Sequence, residues 1–393
     1  VTTHPPAGHP EFSLTRGGPI LRTLYRLLPG KHEYLKLGGR VAAAILVSWV
    51  PLLVLALLSR NDAGAKLTFL RDIETQVRFL VALPLFIAAE AVVQQRLGTT
   101  VRGFLDNDMI PEADIGRFED GVRRATFLES SWIAEVLMLA LAFIVGHQIW
   151  QQGVALDEVT WYSRPGPDGD QLTRAGFWFT WVSIPFFQFL YIRWYYRLFL
   201  WYQLLFRVSR LHLRLVPPHP DRAGGLGFVG LAATAVMPLL LGQGVLLAGL
   251  IASRIFGSGR SLQEFQAEIL GLVLFIVVAF IGPMLMFSPA LLKAKREGLL
   301  IYGKLALEHG RRFENRWLAG PGVPDEHFLG TGDIQSQADM NTVYNAVSDM
   351  RPAPFGLQLV IQLVIVAVAP LLPLTLTLVP FSTIVEWILA RLL

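Results

Sequence analysis

The chain has 393 residues, of which 53% are hydrophobic and 16% charged, with a formal net charge of +4. That balance is too apolar for an ordinary soluble domain and points to a membrane protein. Cysteine is absent, which excludes disulfides, thiolate metal sites and cysteine nucleophiles.

The first forty residues are polar and basic and lack a short apolar core followed by a small-residue cleavage site, so the first apolar run is expected to be a retained anchor. Within them PILRTLYRLL puts Ile20, Leu21, Leu24, Leu27 and Leu28 on one side and Arg22 with Arg26 on the other. That pattern suits a helix lying in an anionic leaflet or covering its own protein's flank. Apolar runs long enough to cross about 30 Å of hydrocarbon follow. They predict spans at 41–59, 77–95, 132–150, 176–204, 228–252, 267–291 and 357–380. The expected fold class is all-α: a polytopic transmembrane helix bundle of about seven spans, six to eight at the limits, with a small helical cytoplasmic layer. The tail STIVEWILARLL reads as interfacial.

Lysine and arginine resist translocation, so their distribution sets orientation. Placing the N-terminus inside gathers Lys293, Lys295, Arg296, Lys304, Arg311, Arg312 and Arg316 on the cytoplasmic side, while the acidic stretch 154–173 lies outside. The chain then divides into a basic segment 1–40, spans one to six over 41–295 with a cytoplasmic loop 96–131, a cytoplasmic helical segment 296–356, and a last span with an amphipathic tail, 357–393. Loop 96–131 carries Ile115, Phe118 and Val122 at helical spacing and predicts one or two amphipathic helices. In GDIQSQADMNTVYNAVSDMRP, Asp333 is expected to cap a helix that ends before Pro352.

Ionisable residues inside spans are costly and default to functional candidates. Glu90, Glu135, Arg193 and Arg197 fall at similar depth in the cytoplasmic half, so Arg193 is expected to contact Glu90 or Glu135. The alternative is that Arg193 and Arg197 snorkel to the interface among Tyr191, Trp194, Tyr195 and Tyr196. Pro238, Pro283, Pro289, Pro370 and Pro373 crowd the later spans, and each frees a carbonyl that needs another partner.

Between the fourth and fifth spans lies PPHPDRAGGLG. Its His219, Asp221, Arg222, Gly224, Gly225 and Gly227 admit two readings: an anion nest at a helix N-terminus, or a junction where prolines stop one helix, glycines turn the chain and Asp221 caps the next. HPDRAGGLGFVG together with GDIQSQADMNTVYNAVSDMRPAPFG resembles segments of bacterial multi-pass integral membrane proteins with no assigned activity. The resemblance covers the last two-thirds of the chain and implies that the two segments belong together. Asp221 or Arg222 is therefore expected to contact 311–351, where His309, Arg311, Arg312, Glu314, Asp333 and Arg351 form a cytoplasmic cluster.

Three function classes stay open: a channel or secondary transporter for an ion or small solute, a membrane scaffold or sensor with a basic cytoplasmic layer, and an enzyme on a lipid headgroup or phosphorylated carrier. No catalytic set, metal site or cofactor motif is visible, since the histidines are scattered and neither a Walker loop nor a dinucleotide fingerprint is present. The expected partners are the bilayer itself, with anionic lipid at the cytoplasmic face, and a second copy of the chain, with no nucleic acid. The expected location is the bacterial inner membrane.

Overall fold

The computed structural model describes residues 33–58, 69–153, 161–166, 169–318 and 332–377; the expected in-plane helix before residue 33 and the amphipathic tail after 377 lie outside them. The first span is α1 (Glu33–Ser48) followed by α2 (Val50–Leu58), with the break at Trp49 just before Pro51. Then come α3 (Ile73–Asp106), α4 (Glu112–Glu129), α5 (Trp132–Gly153), the hairpin β1 (Ser163–Gly166) and β2 (Gly169–Leu172), and α6 (Arg174–Ser209). After these come α7 (Gly227–Ser258), α8 (Leu262–Trp317), α9 (Gly332–Ser348) and α10 (Leu357–Thr377). Among the described residues, six helical stretches are long and apolar enough to cross a membrane, and α4 with α5, bent by 49° between them, make a seventh when taken as one span.

The helices run up and down between two ends. One end carries the β1–β2 hairpin and is called the hairpin face. The other gathers the α3–α4 turn, loop 210–226, the far half of α8, α9 and the start of α10, and is called the junction face. The expected loop helices are there: α3 runs on to Asp106, and α4 buries Phe118 and Val122 with Ile115 at the edge of the core. Leu46, Leu137, Ile144, Leu274, Val278 and Ile365 are exposed around the circumference. An apolar outer surface over apolar helices is what lipid contact requires.

The core is aromatic and is centred on α7. Phe86 lies at a tilt against the rings of Phe187 and Tyr191, while the Trp194 indole donates to the Phe86 carbonyl at 3.0 Å. Helix α7 reaches its neighbours through glycines: Gly242 faces the Phe86 ring, Gly249 faces Val77, and a Cβ on Gly244 would lie 1.9 Å from the Ala367 carbonyl oxygen. Small residues let backbones approach in lipid, where dispersion rather than water drives association.

Prolines shape the helices in a consistent way. A wide π turn precedes Pro84 at Arg78–Ala82, Pro185 at Phe179–Ser183, and Pro283 at Val277–Ile281. Each proline can neither donate to nor clear the carbonyl four residues earlier, which belongs to Leu80, Trp181 or Ala279, inside the turn. Of the five prolines expected to break later spans, Pro238 and Pro289 stand in the first turns of helical segments that follow 3-10 stretches, Pro283 opens such a stretch, and Pro370 and Pro373 lie within the 3-10 end of α10.

The glycine contacts give a direct test. Gly244→Ala is expected to push α7 from α10 and lower stability by about 1–3 kcal/mol. Gly257→Ala, with nothing within 4 Å of its new methyl, leaves stability unchanged or slightly raised. Thermal unfolding of the two variants in one detergent checks the difference.

Candidate functional site

Arg193 and Arg197 are one helical turn apart on α6, so their guanidinium groups share a face and repel unless carboxylates lie between them. Glu90 from α3 and Glu129 from the last turn of α4 supply those charges. Arg197 Nη1 donates to Glu90 Oε1 at 2.7 Å, and Arg193 lies 3.8 Å from Glu90 and 3.6 Å from Glu129. Arg197 also lies 3.8 Å from Glu129, and Arg40 of α1 approaches the other Glu90 oxygen at 3.7 Å.

The two arginines are only 3% and 2% exposed, which overturns the expectation that they snorkel to an interface. Arg193 meets Glu90 as one expectation had it, and its second carboxylate is Glu129. Glu135 is buried at the start of α5. The surroundings fix the cluster's geometry: Arg197 lies over the Trp194 ring at 5.4 Å, and the Tyr196 hydroxyl donates to the Leu128 carbonyl at 2.9 Å. At the same level of α6, Gln243 of α7 donates to the Tyr195 hydroxyl at 2.6 Å, which in turn meets Tyr191 at 3.1 Å.

The second part of the site is the loop between α6 and α7. Asp221 turns its carboxylate back into the glycine-rich turn. It accepts from the amides of Ala223 at 2.8 Å, Gly225 at 3.2 Å and Gly227 at 2.8 Å, with the His219 Nδ1 at 2.8 Å. The nest expected to receive an external anion is thus filled by the chain's own acid. Burial pushes the Asp221 carboxyl up, but the amides of Ala223, Gly227 and Gly225, helped by the His219 ring, outweigh it and hold it below its ordinary value. The turn needs left-handed backbone at Arg222 (φ 56°), Gly224 (φ 62°) and Gly225 (φ 94°).

This loop is clipped to the segment after α9. The Arg351 amide donates to the Arg222 carbonyl at 2.7 Å, the Arg222 guanidinium lies 3.9 Å from Asp349, and Met350 covers Gly224. Lys295 of α8 donates to the Met350 carbonyl at 2.9 Å, and Pro217 rests on Gly298. The contact therefore falls on 349–351. The other candidates of that cluster lie elsewhere: His309 is 3.4 Å from Ser336, Arg312 pairs with Glu308 on its own helix, and the Glu314 carbonyl accepts the amide of Leu318. Arg311 is exposed on α8. Asp333 stands inside the first turn of α9 rather than ahead of it, and its carboxylate receives the Trp317 indole at 3.0 Å and Arg316 at 3.2 Å.

Beside the clip a cavity of about 1240 Å³ opens, lined by Asp108, Arg214, His219, Asp221, Phe228, Leu231, Arg351 and the first turn of α10. Among the described residues no three His, Asp or Glu side chains converge as a metal set. Fold and site together define a polytopic helical protein of membrane type, with charge buried in its bundle and a groove at one end. No protein-family model, curated protein or solved structure matches the chain.

Two outcomes are expected. Glu90→Gln leaves Arg197 buried beside a neutral amide and costs about 3–5 kcal/mol, whereas Glu90→Leu combined with Arg197→Met removes both charges and recovers most of that loss in chemical denaturation. Asp221→Ala lowers stability by about 2–3 kcal/mol through its lost amide bonds. Because the folded Asp221 value is depressed, its stabilisation is complete above the unfolded carboxyl's value of about 4 and is lost as pH falls through the lower folded value. Protection of the Ala223, Gly225 and Gly227 amides from hydrogen exchange, taken relative to the intrinsic rate at each pH, should fall with acid in the parent and be low at all pH in Asp221→Ala.

Proposed function

We propose that the protein is a channel or secondary transporter that moves an ion or small solute through its helix bundle, in an inner membrane with the N-terminus on the cytoplasmic side. The reading rests on the Glu90–Arg197–Arg193–Glu129 cluster, because ionisable groups held inside a membrane bundle mark ion pathways and gates more often than they mark simple packing. Its geometry suits a gate: Arg193 stands between two carboxylates at 3.6 and 3.8 Å, so a small shift of α6 exchanges one partner for the other. The π turns at Arg78–Ala82 and Phe179–Ser183 lie toward the hairpin face on the two helices that carry Glu90 and the arginines, where a helix bends most easily. The charges then clamp one end of the bundle while the other end flexes. Basic flanks at the junction face support the cytoplasmic assignment.

A second reading, an enzyme acting on a lipid headgroup at the junction face, is favoured by the half-exposed His219 ring 2.8 Å from Asp221 in the groove wall. One set of proteoliposomes tests both. Flux is measured across a panel of ion gradients for the parent, Arg193→Gln and His219→Gln. Loss of flux in Arg193→Gln with flux retained in His219→Gln is expected. No flux by the parent under any gradient overturns transport, and parent turnover of lipid that vanishes in His219→Gln establishes the enzyme instead.

A further inference from the structure

The groove at the junction face has two unlike walls. On one side Leu231 and Leu357 are 65% and 73% exposed, with Phe228 and Phe355 behind them. Both leucines lie in the opening turns of membrane-length helices, so this wall adjoins acyl chains. Asn107, Arg214, His219, Arg351 and Gln358 make the other wall polar. An apolar lip beside a polar hollow fits an amphiphile.

Charge decides the headgroup. Asp108 is paired with Arg214 at 2.6 Å, and Asp221 spends its oxygens on backbone amides, so neither acid presents free negative charge to the groove. Arg351 is different. Its backbone is anchored to Arg222 at 2.7 Å, while among the described residues its guanidinium has no carboxylate partner. That guanidinium lies against Gly356, where a Cβ would stand 2.7 Å from Nη1. Gly356 is the residue before α10, and no side chain caps that helix. A guanidinium therefore sits at the positive end of a helix dipole, two like-signed groups in one corner, an arrangement relieved by an anion held between them. A phosphate diester offers the several acceptor oxygens that this corner needs, and its acyl chains supply the match for the leucine lip.

We propose that this groove binds the headgroup of an anionic glycerophospholipid from the adjoining leaflet, with Arg351 on the phosphate and the acyl chains along Leu231 and Leu357. The site shares no residue with the charge cluster, so its failure leaves the transport reading intact.

The test uses the full chain in phosphatidylcholine nanodiscs carrying a trace of spin-labelled phosphatidylglycerol or spin-labelled phosphatidylcholine, with the immobilised fraction read by electron paramagnetic resonance. The parent should hold the glycerol lipid about tenfold more tightly than the choline lipid. Arg351→Gln should abolish the preference. Gly356→Val, which displaces the guanidinium without removing its charge, should do the same in protein that still elutes as a folded species. Lys293→Gln, an exposed basic residue on α8, should leave it unchanged. Equal retention of the two lipids by the parent overturns the proposal, as does a folded Arg351→Gln protein that binds like the parent. Displacement of the labelled lipid by inorganic phosphate alone also overturns it, because the site would then select a free anion.

Discussion

An arginine buried inside a helical bundle needs partners that meet its charge, and the 2.7 Å bond from Arg197 to Glu90 is the contact on which the junction-face half of this protein depends. It sets the register of α6 on α3. Arg193 extends the bond to Glu129 and so pins the end of α4, and Arg40 brings in α1 from the other side. Four elements that are far apart in sequence are thereby held at one depth. Apolar side chains alone slide past one another at little cost, whereas a buried ion pair has one good geometry and many poor ones.

The loop after α6 solves a different problem with the same economy of charge. A long helix has to stop, the chain has to reverse, and the next helix has unpaired amides at its start. The first helix already ends at Ser209, ahead of Pro217, Pro218 and Pro220, so the prolines shape the turn rather than stop the helix. Positive φ at Arg222, Gly224 and Gly225 reverses the chain, and the Asp221 carboxylate collects the turn amides of Ala223 and Gly225 and the helix-start amide of Gly227. The turned backbone then exposes the Arg222 carbonyl to Arg351. Local folding of one loop therefore creates the attachment point for a segment more than a hundred residues later.

Much of this was legible in the amino-acid sequence, because lipid enforces long apolar runs and isolates the charges that interrupt them. The spans and the approach of Arg193 to Glu90 follow from those two facts. Glu129 was not legible: it lies in TFLESS, a polar stretch that resembles a solvated loop, and only the bend between α4 and α5 turns it inward. Arg40 stands just before the first apolar run, where a basic residue cannot be told from an ordinary flanking charge. Pro84 and Pro185 are not legible as sites of a widened turn, since a proline near the start of a span is equally compatible with an unbroken helix, and only the folded backbone shows the π turn that precedes each. The clip to 349–351, by contrast, was expected one step too broadly, because composition favoured the charge-rich EHGRRFENRW over the short turn that makes the contact.

Helix α8 carries a mechanical consequence. It is 56 residues long and has its wide turn at Val277–Ile281, leaving thirty residues in Ser288–Trp317 as a stiff arm of about 45 Å. A hinge rotation of about 10° at that turn sweeps the far tip through about 8 Å. The tip is fastened to α9 by Asp333, and α9 leads directly into the residues that hold Arg222. Helix α9 packs back along this arm and sets Val347 against Gly298 near its base, where Lys295 also holds the Met350 carbonyl, so such a rotation would carry the arm, α9 and the groove wall at 349–351 together.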